Sequence, residues 1–281
     1  MPPALRIGCS GWAYKHWRGK FYAPELPVRE WFTHYARVFD TVEINNTFYR
    51  LPESKTFEAW RERAPENFLY AIKGSRFLTH LKRMRDPEEG VSRLFERACH
   101  LHAHLGPVLY QLPGSFHRDH VRLDDFLAVL PRTLGEINGE PRDHPIRHVI
   151  EFRHPSWYVD ETQAVLRAHG AVMCLHDKHG SAIFDPLDTP FVYARFHGPG
   201  GRYFGRYDLP RLKFWAEQLA ERWRAGCDIF AYFNNDPEGM AVINAQEFRA
   251  FMTASIEGAH QAPNEVSLRA SYEYCRPAHG H

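Results

Sequence analysis

The chain has 281 residues and 32.8 kDa, with 44% hydrophobic and 25% charged residues, which excludes collagen-like, coiled-coil and disordered classes. A formal net charge of +1 argues against a dedicated nucleic-acid binder. The apolar runs are far shorter than the ~20 residues that cross a bilayer. No signal-type segment opens the chain, and five scattered cysteines form no C-x-x-C pair, so a cytoplasmic protein with reduced thiols and no membrane contact is expected.

Strands and helices alternate along the chain. Leu5–Cys9 reads as a first strand, followed by a helical stripe of Trp31, Phe32, Tyr35, Val38 and Phe39. Thr41–Ile44 is the second strand, and Phe57, Trp60 and Ala64 mark the next helix. Phe68–Lys73 precedes a stripe of Leu94, Ala98 and Leu101, and Val108–Leu112 precedes one of Phe126, Leu127 and Leu130. His148–Phe152 leads to a helix marked by Val165 and Leu166, and Ala171–His176 is the sixth strand. Asp177–Pro190 contains Gly180, Pro186 and Pro190, so the helix between strands six and seven is predicted to be reduced or missing. Phe191–His197 is followed by the clearest stripe, Leu212, Trp215, Leu219 and Trp223. Asp228–Phe233 then precedes a last helix carrying Ala241, Ala245, Phe248 and Met252. The pattern is that of an α/β protein, a single (β/α)8 TIM-type barrel over residues 1–257, with residues 258–281 as a flexible C-terminal tail.

Parity locates the chemistry. Alternate strand residues face opposite sides, and one side of a barrel strand is the lumen. In the second strand Val42 and Ile44 oppose Thr41, Glu43 and Asn45. In the fifth, Ile150 and Phe152 oppose Val149, Glu151 and Arg153; in the seventh, Val192, Ala194 and Phe196 oppose Tyr193, Arg195 and His197. The third strand ends in Lys73, the fourth carries Gln111, the sixth runs into Asp177, and the eighth runs into Asn234 and Asn235. Each strand turns polar at its C-terminal end, where barrel active sites lie. Buried charge is costly unless paired, so this cluster points to binding or chemistry, the alternative being structural ion pairs that plug the barrel top.

The loops add Trp12, Tyr14, Tyr49 and Trp157, rings that either shield a ligand or cap the barrel mouth as a second small core. Gly198-Pro199-Gly200-Gly201-Arg202 after the seventh strand, with Arg195 nearby, suits an anion. Asp236 is expected to cap the last helix. His100 and His104 have a zinc-compatible spacing but no acidic partner, which favours a solvated helix face. Nucleophile-elbow, dinucleotide and P-loop fingerprints are absent, so no cofactor is implied.

These segments resemble the YecE-like family, domain of unknown function 72, over roughly residues 5–255. The resemblance rests on Ile7-Gly8-Cys9-Ser10-Gly11-Trp12 with Tyr14 and Trp17, Val42–Tyr49, Lys73, Thr79-His80 and Leu109-Tyr110-Gln111-Leu112-Pro113. It continues through Glu151-Phe152-Arg153-His154 with Trp157, Arg195-Phe196-His197-Gly198, Tyr207 and Phe233-Asn234-Asn235-Asp236. Gly114 stands where the family usually has a second proline. The resemblance implies a TIM-type barrel and supplies no reaction.

Three functions compete. The first is an enzyme acting on a small phosphorylated or carboxylated substrate by general acid/base chemistry. Glu43, Lys73, Glu151, Arg153, Asp177 and His197 would be catalytic. Trp12, Tyr14, Asn45, Tyr49, Gln111, Trp157, Arg195, Gly198, Arg202, Tyr207, Asn234 and Asn235 would bind substrate. The second is a metal-dependent phosphodiester or nucleic-acid repair hydrolase, with Glu43, Glu151, Asp177 and His197 holding a divalent metal. The third is a ligand-binding or scaffold protein without turnover.

Overall fold

Strands β1 (Leu5–Cys9), β2 (Thr41–Ile44), β3 (Leu69–Lys73), β4 (Leu105–Gln111), β5 (His148–Glu151), β6 (Val172–Met173), β7 (Leu175–His176), β8 (Phe191–Phe196) and β9 (Asp228–Phe233) pair only in parallel. The structure, a computed structural model, describes residues 2–139, 144–178 and 189–258. The ladders run β2-β3-β4-β5-β6 and β7-β8-β9-β1.

Two seams join them. Only Cys174 separates β6 from β7, and its N–H donates to the Ile150 carbonyl at 2.9 Å, so β6 and β7 are halves of the sixth barrel strand. At the other seam the Tyr35 hydroxyl accepts from the Cys9 N–H (2.8 Å) and donates to the Thr41 carbonyl (3.0 Å). A Cβ at Gly8 would sit 2.3 Å from that carbonyl, so only glycine lets β1 and β2 approach this closely. The strands therefore follow one another round a ring in chain order, as in a (β/α)8 TIM-type barrel.

Helices α1 (Trp31–Val38), α2 (Asn46–Tyr49), α3 (Ser54–Arg63), α4 (Glu88–Ala98), α5 (His120–Ala128), α6 (Gly135–Asn138), α7 (Asp160–Ala168), α8 (Leu209–Arg224) and α9 (Met240–Gly258) lie between or after the strands. Each of the apolar stripes starts on one of them, although Phe39, Ala64, Leu101 and Leu130 lie beyond the helix ends. Asp208 caps α8 by accepting from the Arg211 N–H at 2.8 Å, and Asp119 caps α5 through the Arg122 N–H at 3.0 Å. Among the described residues no helix is long and apolar enough to cross a membrane.

Two buried cores result. One lies between the strands and the helices. The second contains Ala71, Leu109, Val149, Val172, Cys174, Phe191, Tyr193, Phe230 and Tyr232, alternate residues from six strands, and fills the lumen.

Three boundaries differ from the expectation. The sixth strand is split, because its residues pair on two sides in turn. The fourth begins at Leu105, three residues early: a register shift between Tyr70 and Ile72 absorbs Gly106 and Pro107, a pair that reads as a breaker in sequence. His100–His104 lies in a 3-10 turn with His102 at φ 49°, so no helical face is formed; His100 pairs with Glu58 at 3.0 Å and His104 Nδ1 meets the Phe68 carbonyl at 2.8 Å. Most of the segment between strands six and seven, and the tail beyond Gly258, lie outside the described residues.

The β1–β2 seam yields a direct test. Tyr35→Phe keeps the ring but leaves the buried Cys9 N–H and Thr41 carbonyl without their bridge. Stability should fall by about 1–3 kcal/mol in denaturant unfolding, and an unchanged midpoint would refute the bridging role.

Candidate active site

The C-terminal ends of the strands carry a layer of ionic groups directly above the apolar lumen. At its centre is Arg195, on β8, fully enclosed. Its Nε and Nη2 donate to both oxygens of Glu43 on β2, at 2.9 and 2.8 Å. Its Nη1 donates to Glu151 Oε2 on β5 at 2.6 Å. One guanidinium thus spans the barrel and ties three strands; parity sends these groups into the lumen, but Arg195, expected to bind substrate, spends its donors on Glu43 and Glu151.

Glu43 has no spare capacity. Ser10 Oγ donates to it at 2.6 Å and the Tyr193 hydroxyl at 2.7 Å, besides Arg195. Burial pushes its carboxyl up, but the charge and donors of Arg195 outweigh this and hold it below the ordinary range. Glu151 faces Arg195 with one oxygen and Arg153 with the other. Burial again opposes ionisation, and the two arginines hold the carboxyl well below its usual value. Glu151 is sealed within the layer: its side chain is 0% exposed.

His197 sits on the next lumen-facing position after Arg195. Its Nε2 lies 3.2 Å from Arg153 Nη2 and 3.2 Å from Arg195 Nη1. Guanidinium nitrogens only donate, so Nε2 must accept, and the ring is neutral with its proton on Nδ1. Nδ1 lies 3.4 Å from Asp177 Oδ1, which also accepts from the His197 backbone N–H at 2.7 Å. Burial, partly countered by the Asp177 hydrogen bond, lowers the imidazole pKa to about 4. The Tyr207 hydroxyl donates to the other Asp177 oxygen and accepts from the Gly198 N–H at 2.7 Å. Burial opposes ionisation of Asp177, while donors from His197 and Tyr207 keep it ionised.

Lys73 ends β3 and differs from these groups. Nζ donates to Gln111 Oε1 at 2.7 Å and lies 4.4 Å from the centre of the Phe48 ring. No carboxylate of a described residue is within ion-pair distance. Burial first, then repulsion by Arg195, lowers its pKa to about 8. Towards the same mouth Lys178 donates to the Gly201 carbonyl at 2.8 Å and covers the Tyr203 ring at 4.1 Å. Asn45, directly after β2, is half-buried, with an Oδ1 that has no hydrogen-bond partner among the described residues.

Several expected substrate contacts are placed elsewhere. Trp12 packs edge-on against Phe32 (5.4 Å) and Trp60 (6.1 Å), and Trp157 is enclosed, stacked on Phe152 and donating to the Phe116 carbonyl. Both belong to the outer core, because the loops that carry them fold over the helices. Tyr14 is held by a 2.6 Å bond to the Ser10 carbonyl, and Tyr49 is 78% exposed, meeting the cluster only through the Phe48 edge. The Gly198 N–H is occupied by Tyr207, so the glycine turn presents no free cradle there; a Cβ at Gly198 would meet the Phe204 carbonyl at 2.2 Å. Asn235 is buried and ties the Gly205 carbonyl to Asn244, Asn234 is buried beside it, and Arg202 is exposed at the rim. Asp236 makes no side-chain cap; its carbonyl receives His16 Nε2 and Trp17 Nε1, both at 2.9 Å. Glu43, Glu151, Asp177 and His197 are not gathered as ligands, since Arg195 lies between the two glutamates, and no metal-binding group of three His, Cys, Asp or Glu occurs among the described residues. The thiol of Cys9 is enclosed, and burial pushes it up and favours the protonated form.

Ser10, Tyr193 and His80 are named from the sequence without a site role, and Lys178 is not singled out there. Tyr193 shares the lumen parity of Arg195 and was open to that argument. His80 follows Thr79 in a π-helical turn, Phe77–Leu81, that no periodicity reveals. Lys178 lies just past a strand end, where parity no longer applies.

A family model described as a protein of unknown function, DUF72, matches residues 6–267. The chain belongs to the DUF72 family. The UPF0759 protein YunF of Bacillus subtilis is 25% identical, over 94% of this chain and 99% of its own. The UPF0759 protein YecE of Escherichia coli is 29% identical over 58% of this chain and 54% of its own. A solved DUF72 structure from Thermotoga maritima superposes with a TM-score of 0.75 at 27% identity, covering 89% of this chain and 99% of that one. The DUF72 segments quoted from the sequence supply Ser10, Glu43, Lys73, Gln111, Glu151, Arg153, Arg195 and His197 to one layer.

This DUF72 chain has an acid signature, carried by His80 and His197 at the site and by His148 in the outer core. His80, His148 and His197 are lowered to about 4 by burial, so the unfolded chain takes up protons that the folded one refuses. Stability is fully present above about pH 6.5 and falls as pH drops from there to about 4. The depressed carboxylates add a second loss that begins below their unfolded value near 4.5. Melting curves between pH 8 and 4 should show this two-stage decline; a flat profile down to about pH 5 would contradict the neutral-histidine assignment.

Proposed function

We propose that the barrel mouth binds a small phosphorylated or carboxylated substrate and acts on it by general acid/base chemistry. The observation that carries this reading is the distribution of charge. The buried carboxylates Glu43, Glu151 and Asp177 are engaged from within the layer by Arg195, Arg153, His197 and Tyr207. Lys73 and Lys178 instead bond neutral acceptors, Gln111 and the Gly201 carbonyl, and Arg202, whose charge acts on Lys178, is exposed. Cations without acidic partners among the described residues, above a neutralised floor, attract an anion, and hydrogen bonds to an ionised acceptor are the stronger kind.

Roles follow from access. Lys73 has a pKa of about 8, near neutrality, and exchanges a proton at Nζ. Arg153, held by Glu151 and His197, supports charge that develops on the substrate. Glu43, Glu151, Asp177 and His197 act behind it as positioning residues, because each already spends its polar atoms within the layer. Gln111 orients the Lys73 amine. A divalent metal has no role in this reading, and the near-neutral net charge keeps nucleic acid out of it.

Thermal melting against increasing phosphate, and separately against a small dicarboxylate, tests the anion site. Both should raise the melting temperature beyond an equal ionic strength of chloride, and Lys178→Met and Arg202→Met should each weaken the effect. Equal stabilisation by chloride, or an effect untouched by both substitutions, would overturn it.

A further inference from the structure

We infer that Lys73 is a covalent site, forming an imine with a carbonyl carbon of the bound anion. The inference rests on the anion-binding reading above and narrows its substrate class to anionic aldehydes, ketones and oxoacids. Geometry sets Lys73 apart from the other lysines. Lys15, Lys20, Lys55 and Lys213 are exposed, Lys82 pairs with Asp86, and Lys178, which shares a neutral acceptor and an aromatic face, is only half-buried, whereas Lys73 ends a barrel strand in the ionic layer and is buried. Its Nζ has one neutral hydrogen-bond partner, Gln111, and one aromatic face, Phe48, and no acidic partner among the described residues. Arg153 and Arg195 are fixed in the same layer and act against the charged form of the amine. A desolvated amine beside fixed cations is the recognised setting for a nucleophilic lysine.

The surroundings suit the step. The His80 ring stands edge-on to Phe48 at 5.0 Å, so His80 and Lys73 flank one aromatic ring. His80 Nδ1 is engaged by Thr79 Oγ1 at 3.0 Å, and burial with the charge of Lys73 lowers the ring to about 4, leaving a neutral imidazole to pass protons. The turn that carries it is π-helical, and Arg83, Met84 and Asp86 follow at φ 48°, 66° and 43°. Backbone held in such conformations clusters at functional sites.

In the step, the Nζ lone pair attacks the carbonyl carbon, and the C=O π pair moves to oxygen, which takes a proton. The carbinolamine then loses that oxygen as water, drawing two hydrogens in total from the amine and the proton pool, and the C=N bond forms. Amine plus carbonyl gives imine plus water, with no oxidant or reductant. With a pKa of about 8, roughly one Lys73 in ten is neutral at pH 7, about 300-fold more than for an ordinary lysine.

The test incubates the full-length protein with pyruvate or glycolaldehyde phosphate and sodium cyanoborohydride, followed by intact mass and peptide mapping. One reduced adduct should appear on the Lys73 peptide well before Lys15, Lys20, Lys55 or Lys213 is labelled, and its rate should rise with pH through about 8. Lys73→Arg should lose that adduct, and the wild-type peptide map stands by itself if the variant does not fold. Labelling of Lys73 no faster than of the surface lysines would overturn the inference, even where phosphate stabilises the protein. Equal labelling by neutral glycolaldehyde would keep the imine and remove the anion reading instead.

Discussion

Arg195 is enclosed among Glu43, Glu151 and His197, and the upper half of the barrel is built round it. A buried guanidinium costs several kcal/mol unless its donors are met, and here both carboxylates meet them. The two glutamates in turn need the cation, since two unpaired carboxylates facing each other in the lumen would not both ionise. Ser10 and Tyr193 complete the shell of Glu43. The same contacts clamp β2, β5 and β8 across the lumen, so the fold and the ionic layer depend on one another.

The rest of the site follows from that centre. Donors from Arg195 and Arg153 converge on His197 Nε2 and force the neutral tautomer, which directs Nδ1 to Asp177. Asp177 then anchors Tyr207 and, through it, the Gly198 turn. The layer consumes its carboxylates internally, and Lys73, Lys178 and Arg202 are left towards the mouth. A sealed floor thus lies beneath a cationic mouth.

Alternation made the floor legible in the sequence. Glu43, Glu151, Arg153, Arg195 and His197 occupy strands whose opposite faces are apolar, and local parity suffices to send them inward. Parity does not tell whether an inward group is wet or sealed, which depends on partners from other strands, and Glu151 is sealed. Loop residues have no parity. Trp12 and Trp157 went to the outer core because the loops fold back over helices, a matter of chain path. The early start of β4 was hidden by Gly106-Pro107, whose breaker chemistry is absorbed in a register shift. His80 and Lys178 lie beyond strand ends, where neither period applies.

The central claim is that the carboxylates of the floor are structural partners of Arg195 and Arg153. The melting curve of Glu151→Gln beside wild type tests it most directly, because glutamine keeps the volume and removes only the charge. Loss of one member of a buried ion pair costs about 3–5 kcal/mol, so the melting temperature should fall by roughly 6–20 °C. A variant that melts with wild type would contradict the account and return Glu151 to the expected reacting groups.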